Sequence, residues 1–88
     1  MQADSKKVLN RLKTVRGQID GIIRMVEEDQ YCVDISNQIL ASQALLKSTN
    51  KLILHAHLQH CLKTSFSEEG EKQEKIDELQ AIIDKIMK

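Results

Sequence analysis

Residues 32–64 read CVDISNQILASQALLKSTNKLILHAHLQHCLKT, and this stretch contains neither glycine nor proline. Because nothing in it breaks a helix, it predicts one α-helix of roughly 48 Å at a rise of about 1.5 Å per residue. Its leucines and isoleucines cover more than one face, which predicts neighbouring helices on several sides. We therefore expect this helix to form the centre of an oligomeric bundle.

Two shorter helices are predicted on either side of it. Residues 5–28 carry aliphatic side chains at helical spacing, and Asp4 or Ser5 can cap their start. A tight turn is expected at 29–31. Residues 64–70 are polar and predict a loop, and 71–87 predict an amphipathic third helix. The expected fold is an all-α, three-helix protomer in a single domain over residues 1–88.

The composition excludes several classes of protein. The 88 residues include one Tyr, one Phe, no Trp and no Pro, which argues against a β-sheet. No apolar run reaches the length of a membrane span and none resembles a signal peptide, so we expect a cytoplasmic protein. Its two cysteines then favour metal or redox chemistry over a structural disulfide. No nucleophile with a base and no Gly-rich phosphate loop is visible, so an enzyme is not expected.

The formal net charge is zero, but the charges are unevenly distributed. Residues 68–88 are mainly acidic, whereas residues 6–24 contain a single acid, Asp20. The basic residues of that first segment are Lys6, Lys7, Arg11, Lys13, Arg16 and Arg24. This basic end is a candidate nucleic-acid surface.

Cys32, His57 and Cys61 have side chains that suit a soft metal ion. On a helix, His57 and Cys61 share a face about 6 Å apart, whereas Cys32 lies ~37 Å from His57. Two ligands of one metal are separated by at most about twice a 2.3 Å bond. One chain therefore cannot close this site, but an antiparallel copy of the helix can. The alternative is that the cysteines are small buried hydrophobes and His57 is a surface residue.

Residues 11–22, RLKTVRGQIDGI, resemble the first-helix signature of the CsoR/RcnR-type bacterial repressors. Tyr31-Cys32 and the His57-x-x-x-Cys61 pair are similar to the copper-sensing branch, the copper-sensitive operon repressors. The resemblance implies an antiparallel four-helix-bundle dimer that assembles into a homotetramer. It also implies Cu(I) held by Cys32 of one subunit and His57 and Cys61 of another. Tyr31 and an acid at Asp77 or Glu78 would surround these ligands.

Other branches of this family differ at identifiable positions. Nickel and cobalt sensors use a histidine near the N-terminus and another at the position of Cys61, and the formaldehyde-responsive branch has proline after Met. This chain has neither. The persulfide-sensing branch keeps both cysteines without the histidine, so His57 favours copper. A repressor that senses reactive sulfur through Cys32 and Cys61 stays the alternative, and a copper-storage bundle would be expected to carry more thiols.

By the same resemblance, the protein binds duplex operator DNA without metal and releases it when Cu(I) binds. Cationic side chains would act mainly by neutralising phosphates. Our candidates for the DNA-binding surface are Arg11, Lys13, Arg16, Gln18, Lys47 and Lys51.

Overall fold

A computed structural model of the chain describes residues 1–64 and 69–86. These residues form three helices in chain order: α1 (Ser5–Glu27), α2 (Cys32–Thr64) and α3 (Glu69–Ile86). They contain no strand, and the predicted all-α, three-helix class is confirmed. The prediction of one domain over residues 1–88 stays a prediction.

The ends of the helices differ slightly from those expected. Helix α2 has the expected limits, whereas α1 ends one residue early. The loop expected at 64–70 is too long, because Glu69 and Gly70 already belong to α3. One glycine costs a helix only about 1 kcal/mol, and acidic residues near a helix N-terminus are favourable. Residues 65–68 of that loop, and the expected helix end at Met87, lie outside the described residues.

A hydrogen-bonded cap ends α1. The Gln30 N–H donates to the Met25 carbonyl at 3.0 Å, and the Asp29 N–H donates to the Val26 carbonyl at 3.1 Å. This pair of bonds is the Schellman motif, whose penultimate residue takes a left-handed conformation that favours glycine. Here Asp29 occupies that position, with φ of 54°. The chain therefore turns at 28–31 through a residue that tolerates this conformation at some energetic cost.

The chain forms two compact units. One consists of Ser5–Thr49, which contains α1 and the first part of α2. The other consists of Met1–Asp4 and Asn50–Lys88, which brings the N-terminal segment together with the remainder of α2 and with α3. Among the side chains of this second unit that the structure describes, the buried apolar ones are Ala3 and Leu79.

In the unit of Ser5–Thr49, the apolar stripe of α1 divides between two faces. Val8 and Val15 are buried, and Ile22 is half-buried. The remaining members of the stripe are exposed, and α2 adds further exposed aliphatic residues. We call this set the outer apolar face: Leu9, Leu12, Ile19, Ile23 and Val26 of α1 with Val33, Ile39, Leu40 and Leu46 of α2. The protomer therefore leaves more large aliphatic side chains outside this hairpin than it buries within it.

We expect Asp29→Gly to stabilise the protein by about 0.5–1 kcal/mol, because glycine adopts the left-handed conformation without a Cβ clash. The measurement is the free energy of unfolding from urea titration. Asp29→Ala is the control and should be no more stable than the wild type, because alanine keeps the Cβ atom. A destabilised Asp29→Gly protein would contradict this account of the turn.

Candidate functional site

Cys32 is the first residue of α2. The Tyr31 carbonyl accepts a hydrogen bond from the Ile35 N–H at 3.2 Å, so Tyr31 is the N-terminal cap residue. Both side chains are exposed, that of Tyr31 by 68%. The N-terminus of a helix favours negative charge, which suits a thiolate ligand at this position. Cys32 is thus an accessible thiol at a helix end, and it does not behave as a small core residue.

His57 and Cys61 lie near the other end of α2 and belong to the unit that contains Asn50–Lys88. Both positions are helical, so their spacing of four residues places them on one face. The His57 side chain is exposed. One imidazole and one thiol on a single face can donate to the same soft ion.

The two halves of the predicted ligand set belong to different compact units. Cys32 lies in the unit of Ser5–Thr49, and His57 and Cys61 lie in the other. Among the side chains that the structure describes, no group of three or more His, Cys, Asp or Glu residues could hold a metal ion. The donors nevertheless fit copper, because two thiolates and one imidazole form the three-coordinate soft set that Cu(I) accepts.

Two further histidines stand near this half-site. His55 and His60 are both exposed. His60 lines a surface cavity of about 230 Å³ together with Gln2, Ala56 and Gln59. On a helix His60 lies roughly 100° from Cys61, whereas His57 lies roughly 40° from it. His60 therefore faces the N-terminal segment, and His57 is the better partner for Cys61.

Asp77 and Glu78, the two acids expected near the ligands, are both exposed on α3. The Asp77 carboxylate accepts a hydrogen bond from Gln73 Nε2 at 2.9 Å. On a helix Asp77 lies roughly 160° from the buried Leu79, and Glu78 lies roughly 100° from it. Glu78 is therefore nearer to the packed face of α3.

The candidate DNA-binding residues fall into two groups. Lys13, Arg16, Lys47 and Lys51 are exposed, whereas Arg11 and Gln18 are half-buried and bind residues of α2. Arg11 Nη1 donates to Ser48 Oγ at 3.4 Å, and Gln18 Oε1 accepts from Ser42 Oγ at 2.8 Å. Sequence reasoning missed both serines. The sequence did contain one signal for Ser42: Ser42 and Thr49 are polar residues seven apart, which places them on one side of α2. In the structure both are buried.

Within residues 1–64 and 69–86, no helix combines the length and the apolar character needed to cross a membrane.

Comparison with known proteins places these features in context. Residues 4–85 match the family model of the metal-sensitive transcriptional repressors. The copper-sensing transcriptional repressor CsoR of Mycobacterium tuberculosis is 48% identical over 79 residues, which cover 90% of this chain and 66% of that protein. The chain thus spans about two thirds of the length of that relative.

Two solved structures share the fold. The copper-sensing repressor CsoR with Cu(I) from Geobacillus thermodenitrificans superimposes with a TM-score of 0.79 at 35% identity, covering 94% of this chain and 85% of that one. The nickel-responsive transcriptional regulator InrS superimposes with a TM-score of 0.78 at 29% identity, covering 98% and 96%. This chain superimposes equally well on both structures, so the fold does not distinguish a copper-sensing protein from a nickel-responsive one.

Proposed function

This chain belongs to the metal-sensitive transcriptional repressor family, a family of regulators and not of enzymes, and we propose that it is a Cu(I)-responsive repressor. In this proposal the metal-free protein binds operator DNA in the cytoplasm, and the Cu(I)-bound protein releases it. The observation that carries the proposal is the ligand pattern: an exposed Cys32 at the start of α2, with His57 and Cys61 on one face near its end. The 48% identity to a copper-sensing repressor supports the same metal.

The proposed Cu(I) site joins two subunits. A straight α2 keeps Cys32 ~37 Å from His57, far beyond the reach of one ion. In an antiparallel pair of α2 helices, the first residue of one helix lies beside the last turns of the other. Cys32 of one subunit then meets His57 and Cys61 of the second, and each dimer contains two equivalent sites.

The outer apolar face supports this assembly. Its nine aliphatic side chains lie on α1 and the first part of α2, and each is more than 40% exposed. Large exposed apolar patches mark interaction surfaces, and each fully buried aliphatic side chain contributes about 1.5–3 kcal/mol. A second copy of the hairpin packed against this face would form the four-helix bundle, and two such dimers would form the tetramer.

The donor set favours copper over the alternatives. Two thiolates and one imidazole satisfy Cu(I), whereas a structural zinc site needs a fourth ligand. Magnesium and calcium prefer oxygen ligands. The family resemblance implies that Cys61 stands where nickel and cobalt sensors have a histidine, and the thiolate is the softer donor.

The proposed DNA surface depends on exposed cations. Lys13 and Arg16 lie on α1, and Lys47 lies on the part of α2 that belongs to the same compact unit. Lys51 follows Lys47 by one helical turn. Their charges would neutralise phosphates and displace counterions, so binding should weaken steeply with salt.

Release of DNA follows from linkage. If Cu(I) binds the DNA-free conformation more tightly than the DNA-bound one, the ion lowers operator affinity by the same factor. Because the proposed site includes both ends of α2 and two subunits, occupying it would shift the packing between protomers. Tyr31, beside Cys32, and an acid of α3 could transmit that shift.

The first prediction concerns the intersubunit site. Wild-type protein should take up about one Cu(I) per chain against a competing chelator, and Cys32→Ala and Cys61→Ala should each lose this tight uptake. Refolding an equal mixture of the two variants should restore about one quarter of it, because half of the dimers are mixed and each mixed dimer has one intact site. The measurement is an anaerobic titration of fully reduced protein.

The control for this titration is each variant refolded alone. A mixture that stays as inactive as its components would contradict a site shared between subunits. If the wild type itself binds Cu(I) weakly, while polysulfide produces sulfur bridges between Cys32 and Cys61 of two subunits, the protein is a persulfide sensor instead.

The second prediction concerns the DNA surface. Lys13→Ala should weaken operator binding and reduce the slope of log K against log salt by about 1 for each subunit that contacts the duplex, because each of these subunits loses one phosphate contact. Fluorescence anisotropy with a labelled operator at several salt concentrations measures both quantities. Lys85→Ala, on the acidic helix α3, is the control and should leave the slope unchanged. An unchanged slope in Lys13→Ala would remove Lys13 from the surface.

The third prediction decides between the two acids. Glu78→Gln should reduce the coupling between Cu(I) and DNA by about 1 kcal/mol, within the usual range of such couplings. Asp77→Asn should leave it unchanged, because Asp77 lies opposite Leu79 and the amide oxygen still accepts from Gln73. Operator affinity measured with and without Cu(I) provides the coupling. The reverse pattern would assign the role to Asp77.

A further inference from the structure

The contact between α1 and α2 in the unit of Ser5–Thr49 contains polar side chains. On α1 the buried Val8 and Val15 alternate with the half-buried Arg11 and Gln18 at spacings of three and four residues. That spacing is typical of helices packed side by side. On the facing side of α2, the two buried residues are Ser42 and Thr49. We call this set of six residues the inner seam.

Two hydrogen bonds cross the inner seam in one antiparallel register. Ser42 Oγ donates to Gln18 Oε1 at 2.8 Å. Seven residues earlier on α1 and six later on α2, Arg11 Nη1 donates to Ser48 Oγ at 3.4 Å. The first bond is the shorter, and its hydroxyl belongs to a side chain that is only 6% exposed. The Gln18–Ser42 pair therefore depends most strongly on the alignment of the two helices.

Thr49, the other buried polar residue, behaves differently. Its Oγ1 donates to the Leu45 carbonyl of its own helix at 2.7 Å. That bond is local to α2 and is insensitive to the position of α1. Among the two buried hydroxyls of the inner seam, only that of Ser42 links the helices. Thr49 is thus a matched control for Ser42.

A polar pair of this kind restricts the register of packed helices. Aliphatic side chains pack with similar energy in several alignments, whereas a buried hydroxyl without a partner is costly. If α1 slid by one turn along α2, Ser42 and Gln18 would both lose their bond. The side chains of Lys13 and Arg16 would move with α1 by about 5.4 Å.

We propose that Gln18 is a positioning residue that acts through Ser42, and that it does not contact DNA. The pair holds α1 in the register that presents Lys13 and Arg16 to the phosphates. This inference rests on the proposed function and replaces the expectation that Gln18 is itself a DNA-contacting residue.

The test compares Gln18→Met, Ser42→Ala and the double variant with Thr49→Val. Gln18→Met and Ser42→Ala should each lower the operator affinity of the metal-free protein by about 3- to 10-fold, the usual value of one hydrogen bond. The double variant should be no weaker than the weaker single variant, because both changes remove the same bond. The salt slope should equal that of the wild type, since no cation is lost. Thr49→Val should bind within about 2-fold of the wild type.

Two results would overturn the proposal. Ser42 is too buried to contact DNA, so Ser42→Ala tests only the loss of its bond to Gln18. If Gln18→Met weakens operator binding while Ser42→Ala does not, Gln18 contacts DNA directly. If the two effects add in the double variant, the residues act independently. Thermal unfolding of the wild type, Gln18→Met, Ser42→Ala and the double variant provides a second readout: coupling between the two substitutions is expected, and its absence would also overturn the proposal. If the wild type binds no duplex DNA, the proposed function fails, and the unfolding cycle alone decides whether the pair sets the register.

Discussion

A continuous helix holds its two ends at a fixed distance, and α2 runs from Cys32 to Thr64 without a glycine or proline. Each turn of the helix adds about 5.4 Å between Cys32 and the His57–Cys61 pair. No side-chain rearrangement within a straight helix can remove a separation of this size. In the proposed function, metal binding is therefore also an assembly event: the ion can be held only where two copies of α2 lie side by side in opposite directions.

In a domain that is stable by itself, the large aliphatic side chains are mostly buried. In the hairpin of α1 and α2 many of them are exposed. Its inner seam contains small and polar side chains, whereas many of its largest aliphatic side chains are on the outer apolar face. The hydrophobic effect is proportional to the apolar area removed from water. Covering that outer face would therefore remove from water more large aliphatic side chains than the hairpin buries by itself.

Much of the proposed site could be inferred from the sequence, because it depends on spacing along a helix. The half-site of His57 and Cys61 follows from four-residue spacing, and the need for a partner follows from the distance to Cys32. The hydrogen bond between Gln18 and Ser42 was not predictable, because a glutamine among arginines and lysines resembles a DNA contact until its neighbour is known. The start of α3 was also misjudged, since Gly70 indicates a loop but costs a helix too little to prevent one.

The sequence by itself determined that the chain is helical, where the long helix runs, that His57 and Cys61 share a face, and that Cys32 cannot join them within one straight helix. These are consequences of local geometry, which repeats every 3.6 residues. Only the tertiary structure decided that Val8 and Val15 face inward while Leu12 and Ile19 face outward, and that Gln18 binds Ser42. The apolar stripe of α1 is wide enough to pack along either edge. The choice between the edges depends on which residues of α2 lie opposite, and that information is not contained in the pattern of α1 alone.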